Sequence, residues 1–140
     1  MAYVYFVDRS IGKKGFSEAL RQANIKLEIH DKHFAQNTPD IVWIPQVSQQ
    51  GWVIITADKH IRYRQIERQA VESSNARLFI LKSATAERQA ELFLNALPKI
   101  ESFLQRHSGP FIAKVTEEKG KRSIAKTKVT KVYPKKSGRS

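Results

Sequence analysis

The run from Gly51 to Lys59, Gly-Trp-Val-Ile-Ile-Thr-Ala-Asp-Lys, constrains the fold more than any other part of the sequence. Residues 52–56 are apolar or β-branched and follow a glycine, a pattern typical of a short strand buried on both faces, as in a parallel sheet. Asp58 comes just after this strand. Because open α/β sheets bind their ligands beyond the carboxyl ends of their strands, Asp58 is a candidate site residue.

The chain alternates between strand patterns and helix patterns, which predicts an α/β fold. Apolar runs predict strands, and apolar residues at helical spacing predict the helices between them. This order predicts a single three-layer α/β/α domain whose mostly parallel sheet of four or five strands has helices on both faces. The predicted strands are 2–7, 25–29, 52–56 and 77–81, with a further edge strand at 111–115 left open, and the predicted helices are 15–24, one that starts at Thr38-Pro39-Asp40, 59–74 and a long one capped by Thr85.

The positive charge is concentrated at the carboxyl end of the chain. The sequence has 25 Lys and Arg against 13 Asp and Glu, a formal net charge of +12, and residues 117–140 contain nine basic and two acidic residues. We therefore divide the chain into a domain at 1–116 and a basic tail at 117–140, which either forms a hairpin strand or is disordered. Such a charge excess attracts polyanions, above all nucleic acid. A solvated tail that only aids solubility is the alternative.

Composition excludes several classes of protein. With no cysteine, the chain has neither a disulfide framework nor a thiolate metal site. Its sequence has no apolar run near the ~20 residues that a membrane-spanning helix needs. Because no basic leader precedes the first apolar run, we expect no signal peptide and a cytoplasmic protein.

Three carboxylates are predicted to meet at one edge of the sheet. Asp8 ends the first strand, Asp58 ends the third, and Asp40 lies in the first turn of the helix between the second and third strands. If the first and third strands are neighbours, all three side chains lie at the carboxyl edge. Like charges at such short range raise one another's pKa, and a divalent cation relieves their repulsion. Mg²⁺ or Mn²⁺ prefers oxygen ligands of this kind.

Phosphodiester hydrolysis is the reaction that best suits such a site. The bound metal activates a water molecule and neutralises charge as the phosphodiester bond breaks. A cysteine nucleophile is excluded by composition, and the Gly-x-Ser-x-Gly motif of the α/β-hydrolases is missing from the sequence. These residues therefore indicate a metal-dependent nuclease.

The same residues resemble a known family. Asp8 at the end of strand one, Asp40 at a helix start and the run from Gly51 to Lys59 are together similar to the PIN domain, in a compact branch related to VapC-type toxins. The resemblance implies a Mg²⁺-dependent ribonuclease, commonly the toxin of a toxin–antitoxin pair. It also implies that Asp8, Asp40 and Asp58 bind the metal and that Thr56 supports the last carboxylate. The implied partners are RNA, a cognate antitoxin protein and, as an open option, a second copy of the chain.

Further site residues are less well defined by sequence. Larger PIN domains supply a fourth acidic residue, and Asp31 and Glu67 are the candidates for that role here. Three basic residues after Asp58, namely Lys59, Arg62 and Arg64, are candidates to bind RNA phosphates, Arg through a bidentate fork. A solvated, charged helix surface is the alternative interpretation of this segment.

Two other functions remain compatible with the sequence. Response-regulator receivers have a similar arrangement, in which Asp58 would be the phosphoacceptor and Ser83 or Thr85 the hydroxyl residue, but the acidic pair after strand one is missing. A catalytically inactive RNA-binding module is the second alternative.

Overall fold

The computed structural model describes residues 3–11, 14–118 and 126–134. No helix in these ranges is both long and apolar enough to cross a membrane. The described elements, in chain order, are β1 (Val4–Val7), α1 (Lys14–Gln22), β2 (Lys26–Ile29), α2 (His30–His33), α3 (Asp40–Gln49), β3 (Val53–Thr56), a 3₁₀ turn (Ile61–Tyr63), α4 (Gln65–Ser73), β4 (Arg77–Ile80), α5 (Ala86–Arg106), β5 (Phe111–Glu118) and β6 (Lys126–Tyr133).

One six-stranded sheet, in the order β2-β1-β3-β4-β5-β6, forms the centre of the fold. The pairs from β2 to β5 are parallel, and only β6 runs antiparallel to its neighbour. The predicted α/β fold is thereby confirmed, with six described strands instead of four or five. β1 and β3 are direct neighbours, with Val7 opposite Ile55, so the residues that follow these two strands meet at the same edge.

Two hydrophobic layers cover the two faces of the sheet. Helices α1 and α5 pack on one face, where Phe16 and Phe93 are fully buried. Helices α3 and α4 pack on the other, where Trp43 and Val71 contact strand residues such as Ile54. Strands that face a helical layer on both sides are apolar throughout, which explains the continuous apolar run of β3, whose four residues are all buried.

Several local predictions are corrected by the structure. The segment predicted as a helix at 59–74 begins with a turn and a 3₁₀ turn, and α4 starts only at Gln65. The helix predicted to start at Thr38-Pro39-Asp40 begins at Asp40, with Pro39 at the N-cap position and no side-chain capping hydrogen bond. The short helix α2 was not among the predicted elements. Thr85 caps α5 as predicted, since its hydroxyl accepts a hydrogen bond of 3.1 Å from the backbone nitrogen of Arg88.

The β5–β6 hairpin lies at one edge of the sheet. β6 pairs with β5 from Ile112 opposite Tyr133 to Glu118 opposite Lys126. The boundary drawn at residue 116 therefore falls inside β5, and part of the basic segment is an edge strand of the same sheet. The rest of that segment, 119–125 and 135–140, lies outside the described residues.

Candidate active site

Asp8 is held in place by two hydroxyl groups at the carboxyl edge of the sheet. The buried Thr56 donates a hydrogen bond of 2.6 Å from Oγ1 to Asp8 Oδ2, and Ser10 Oγ lies 3.0 Å from the same oxygen. The backbone nitrogen of Asp8 also donates to the carbonyl oxygen of Ile55 at 3.0 Å. The first carboxylate is therefore fixed to the end of β3 as well as to that of β1.

Thr56 also links the first carboxylate to the residue that carries the third. Its Oγ1 accepts a hydrogen bond of 3.1 Å from the backbone nitrogen of Asp58. One hydroxyl thus contacts the side chain of Asp8 and the main chain of Asp58. The sequence resemblance implied a supporting role toward Asp58 alone.

Sequence reasoning missed Ser10 as part of this site. Its Oγ accepts a hydrogen bond of 2.8 Å from the backbone nitrogen of Ala57 and lies 3.0 Å from Thr56 Oγ1. These contacts close a small polar network between the loops after β1 and β3. A serine two residues after an aspartate is a common turn pattern. Its contacts with Thr56 and Ala57, 46 and 47 positions later in the chain, cannot be predicted from the local sequence.

The pKa of Asp40 depends on burial and on the charges of the side chains around it. Burial, the negative charge of Asp8 and that of Glu67 raise the pKa of Asp40, while the hydrogen bond from Trp43 and the charge of Arg64 oppose this rise. Trp43 Nε1 donates to Asp40 Oδ1 at 3.0 Å, and because its indole is buried, the carboxylate is held in one orientation. Asp40 is thus near enough to Asp8 for their two negative charges to interact.

Arg64 lies among the carboxylates. Its guanidinium donates a hydrogen bond to Asp58 Oδ2 and approaches Asp40 Oδ2 at 3.7 Å. Its Nε is 3.4 Å from Glu67 Oε2. The hydrogen bond to Asp58 raises the pKa of Arg64. Arg64, predicted as a phosphate-binding residue, therefore acts in this structure as the counter-cation of the acidic cluster, defined here as Asp8, Asp40, Asp58 and Glu67.

The acidic cluster offers the oxygen ligands that a divalent cation prefers, but the guanidinium of Arg64 already contacts three of its carboxylates. All its side chains offer carboxylate oxygens, the ligands that Mg²⁺ and Mn²⁺ prefer. In the part of the chain that the structure describes, no three Asp, Glu or His side chains are gathered closely enough to hold a metal ion. The guanidinium contacts Asp40, Asp58 and Glu67 at once, so a cation already lies where these carboxylates face one another. A metal ion that binds there has to replace the contacts of Arg64.

The two candidates for a fourth acidic residue occupy different environments. Glu67 in α4 faces Arg64 and raises the pKa of Asp40. Asp31 instead pairs with the Nε of Arg9 at 3.0 Å and with Nδ1 of the buried His30 at 3.0 Å. Glu67 is therefore the better candidate on geometry.

The two remaining basic candidates lie in the connection between β3 and α4. Lys59 is exposed in the turn after β3, while Arg62 belongs to the 3₁₀ turn. The guanidinium of Arg62 lies 4.6 Å from the ring centroid of Tyr63. Neither residue lies on an α-helix, because none is formed at 59–64, in contrast to the helix predicted at 59–74.

Comparison with known proteins identifies the family. The family described as "PIN like domain" matches residues 3–83. The chain belongs to this PIN-like family. It is also 34% identical over 120 residues to a protein of Mycobacterium tuberculosis named "Putative ribonuclease VapC45", a match that covers 81% of this chain and 86% of the relative. No solved structure gives a significant match.

Membership of the PIN-like family weakens the receiver alternative. The acidic cluster uses two residues that follow β1 and β3 and one residue each from α3 and α4, all inside the matched range. Thr85, one of the two hydroxyl residues in the receiver interpretation, accepts the capping hydrogen bond of α5. Its hydroxyl is thus engaged in a structural contact outside the acidic cluster.

Proposed function

We propose that this PIN-like protein is a Mg²⁺- or Mn²⁺-dependent endoribonuclease that hydrolyses phosphodiester bonds in single-stranded or structured RNA. What supports the proposal most is the contact of one guanidinium, that of Arg64, with Asp40, Asp58 and Glu67. Asp8 is held to the same strand end through Thr56. The name of the mycobacterial relative supports RNA as the substrate. The net charge of +12 favours binding of the same polyanion.

Asp8, Asp40 and Asp58 would hold the metal, and Glu67 would complete the set. Bound there, Mg²⁺ or Mn²⁺ would supply a water of lowered pKa and positive charge beside the scissile phosphate. Thr56 and Ser10 fix the carboxylate of Asp8 by hydrogen bonds, and Trp43 orients that of Asp40. Such supporting hydrogen bonds keep the oxygens in place while the charge at the site changes.

The basic side chains next to the acidic cluster would bind the RNA backbone. Arg64, once displaced from Asp58 by a metal ion, lies within reach of a phosphate at the same site, and its guanidinium can bind that phosphate through two hydrogen bonds. Arg62 and Lys59 precede it in the same connection. These three cations would balance the negative charge that the substrate adds.

We further propose that the protein is the toxin of a toxin–antitoxin pair. The relative is named as a VapC protein, and the contacts of Arg64 provide a physical argument from this chain itself. Because the acidic cluster accommodates a guanidinium, an antitoxin segment that presents an arginine side chain would inhibit the enzyme by occupying the same place. RNA and this antitoxin are the two partners that the proposal requires.

Substitution of the carboxylates tests the nuclease assignment. Asp8→Asn and Asp58→Asn keep the side-chain volume but remove a metal ligand, so cleavage of labelled single-stranded RNA in Mg²⁺ should fall to background while RNA binding is retained. EDTA should have the same effect on the unmodified protein. If the unmodified protein binds RNA but does not cleave it, the protein is a catalytically inactive binding module. Phosphorylation of Asp58 by a small acyl phosphate would indicate a receiver.

A further inference from the structure

The β5–β6 hairpin extends past the edge of the sheet at which the acidic cluster lies. Thr56 at the end of β3 is in register with Ile80 at the end of β4, and Ile80 is in register with Lys114 in the middle of β5. β5 continues for four residues beyond that level, paired throughout with β6. With neighbouring strands about 4.8 Å apart, Lys114 lies two strands, or roughly 10 Å, from the threonine that holds Asp8.

One face of this hairpin presents lysine and threonine side chains in a row. Ile112 belongs to the core under α3 and α4, and alternation along a strand places Lys114 and Thr116 on the same face as Ile112. Their partners on β6 are Thr130 and Lys128. We define these four residues, Lys114, Thr116, Lys128 and Thr130, as the hairpin face. It is on the same side of the sheet as α3, which carries Asp40, and α4, which carries Glu67 and has Arg64 as its N-cap.

The hairpin face carries two lysine side chains, and the next cross-strand pair along it, Glu118 opposite Lys126, has formal charges that offset each other. Lys114 and Lys128 are exposed, and neither forms an ion pair with a side chain that the structure describes. Thr116 and Thr130 are half-buried hydroxyl residues between them. Cations and hydroxyl groups at strand spacing are suited to the phosphates and sugars of an extended nucleic acid strand.

An exposed aromatic side chain of the connection that follows Asp58 lies beside β6. Tyr63 is 62% exposed and lines a cavity of about 440 Å³ together with Arg62, Arg68 and Val132 of β6. The Nε of Arg68 is buried without a hydrogen-bond partner among the described residues. An exposed ring beside arginine side chains is the arrangement on which unpaired bases stack.

We propose that the hairpin face binds the sugar-phosphate backbone of single-stranded RNA, so that the strand runs from the acidic cluster past Tyr63 onto Lys114 and Lys128. The inference rests on the proposed nuclease function, because it takes the acidic cluster as the place of cleavage. It adds a second, non-catalytic binding surface on a part of the chain outside the matched residues 3–83. An acidic polypeptide would satisfy the lysines equally but leaves the exposed ring of Tyr63 unexplained.

Salt dependence of RNA binding tests the hairpin face with a matched control on the same strand. The double variant Lys114→Gln/Lys128→Gln should lower the slope of log affinity against log salt concentration by about 1.4, since each lost phosphate contact contributes about 0.7. Lys131 is also exposed, but it lies opposite Ala113, which faces the core under α1 and α5. Lys131→Gln should therefore leave the slope nearly unchanged. Point substitutions are used because removing residues from 117 onwards would delete β6 from the sheet.

Binding is measured with a labelled single-stranded RNA in EDTA, so that no cleavage interferes. Tyr63→Leu should weaken binding roughly tenfold without a change in slope, because it removes a stacking contact and no charge. The proposal would be overturned if the double variant had the same slope as the unmodified protein. It would also be overturned if Lys131→Gln alone lowered the slope as much per lysine as the double variant does. So would competition by polyglutamate as effective as that by an RNA of equal charge.

Cleavage of a dinucleotide distinguishes a failure of the hairpin-face proposal from a failure of the proposed nuclease function. A dinucleotide with a single phosphate has none left for the lysines of the hairpin face while that phosphate is at the acidic cluster, so its cleavage in Mg²⁺ should be the same in the double variant as in the unmodified protein. If the unmodified protein cleaves neither dinucleotide nor longer RNA, the nuclease assignment fails, and with it the proposed strand path. If it cleaves both and the double variant keeps its affinity for long RNA, only the hairpin face is excluded.

Discussion

The guanidinium of Arg64 donates a hydrogen bond to the carboxylate of Asp58, six positions earlier in the chain. This contact gives the acidic cluster a cation supplied by the protein itself. The same guanidinium is near Asp40 and Glu67, so it reduces the repulsion among carboxylates that come from three different elements. Metal binding and the position of Arg64 are therefore expected to be coupled.

Replacement of Arg64 should favour metal binding and weaken the metal-free fold. Arg64→Ala removes a half-exposed ion-pair network worth up to about 1 kcal/mol, so the metal-free protein should be less stable by that amount and should bind Mn²⁺ up to about fivefold more tightly. Calorimetry with Mn²⁺ and thermal unfolding in EDTA measure the two effects. Arg62→Ala is the matched control, since Arg62 contacts Tyr63 instead of a carboxylate. Unchanged or weaker Mn²⁺ binding by Arg64→Ala would contradict the competition.

The hydroxyl group of Thr56 should matter for the metal affinity more than for the fold. Thr56→Val keeps the shape of a buried side chain but removes the hydrogen bonds to Asp8 Oδ2 and from the backbone of Asp58. Loss of a hydrogen bond that orients a metal ligand typically lowers metal affinity about tenfold or more. Thr56→Ser keeps the hydroxyl and should remain close to the unmodified protein in Mn²⁺ titrations. Equal affinities for the valine and serine variants would show that the hydroxyl does not position Asp8.

The ionisation of Asp40 should destabilise the metal-free protein. Burial and the charges of Asp8 and Glu67 raise the pKa of Asp40 in the folded state above the ordinary value of 3.8. The unfolded state therefore loses this proton at lower pH, and stability decreases as pH rises from about 3.8 through the raised folded-state pKa. Above that window the loss is complete.

Asp40→Asn tests this pH dependence directly. In EDTA at neutral pH the variant should be more stable than the unmodified protein, and the difference should shrink as pH falls through the same window. The asparagine oxygen can still accept the hydrogen bond from Trp43, so packing is preserved. Urea unfolding at a series of pH values measures the effect. A variant less stable than the unmodified protein at neutral pH would mean that Asp40 is stabilised as a carboxylate.

Glu67 and Asp31 should give opposite results on substitution. Glu67→Gln should reduce RNA cleavage roughly tenfold or more because it removes a carboxylate from the acidic cluster. Asp31→Asn should leave cleavage unchanged and lower stability by about 1 kcal/mol, since Asp31 pairs with Arg9 and His30. Cleavage rates at saturating Mn²⁺ and thermal unfolding of both variants distinguish the roles. Loss of cleavage in Asp31→Asn alone would reverse the assignment.

The placement of Asp8 and Asp58 at one edge of the sheet could be predicted because it depends on topology. Apolar runs identify β1 and β3, and once these strands are parallel neighbours, Asp8 and Asp58 necessarily lie at the same edge. Asp40 follows because α3 starts at that edge and leads back to β3. No side-chain contact has to be known for this step.

The residues between the carboxylates could not be predicted in the same way. Ser10 and Arg64 act through contacts with specific side chains or backbone atoms, and local sequence carries no signal for those pairs. For Arg64 the prediction of a continuous helix at 59–74 was also misleading. The residue in fact follows a 3₁₀ turn and is the N-cap of α4, so its direction differs from that on a regular helix.

The β5–β6 hairpin was left open because its alternation is weak. β5 has buried residues on consecutive positions near its start, and β6 is rich in lysine and threonine. Pairing with β5 gives β6 its place, and cross-strand pairing over a gap of several residues is not visible in the composition of either strand.

The acidic cluster lies at the boundary between the sheet and the helical layer formed by α3 and α4. Asp8 and Asp58 are tied to strand ends through Thr56, whereas Asp40 and Glu67 belong to α3 and α4. A small slide of those helices over the sheet would alter the spacing between the two pairs of oxygens. Under the proposed function, packing at that boundary, such as the contact of Trp43 with Phe6 at a ring-centroid distance of 5.2 Å, would therefore influence the size of ion that the carboxylates can hold.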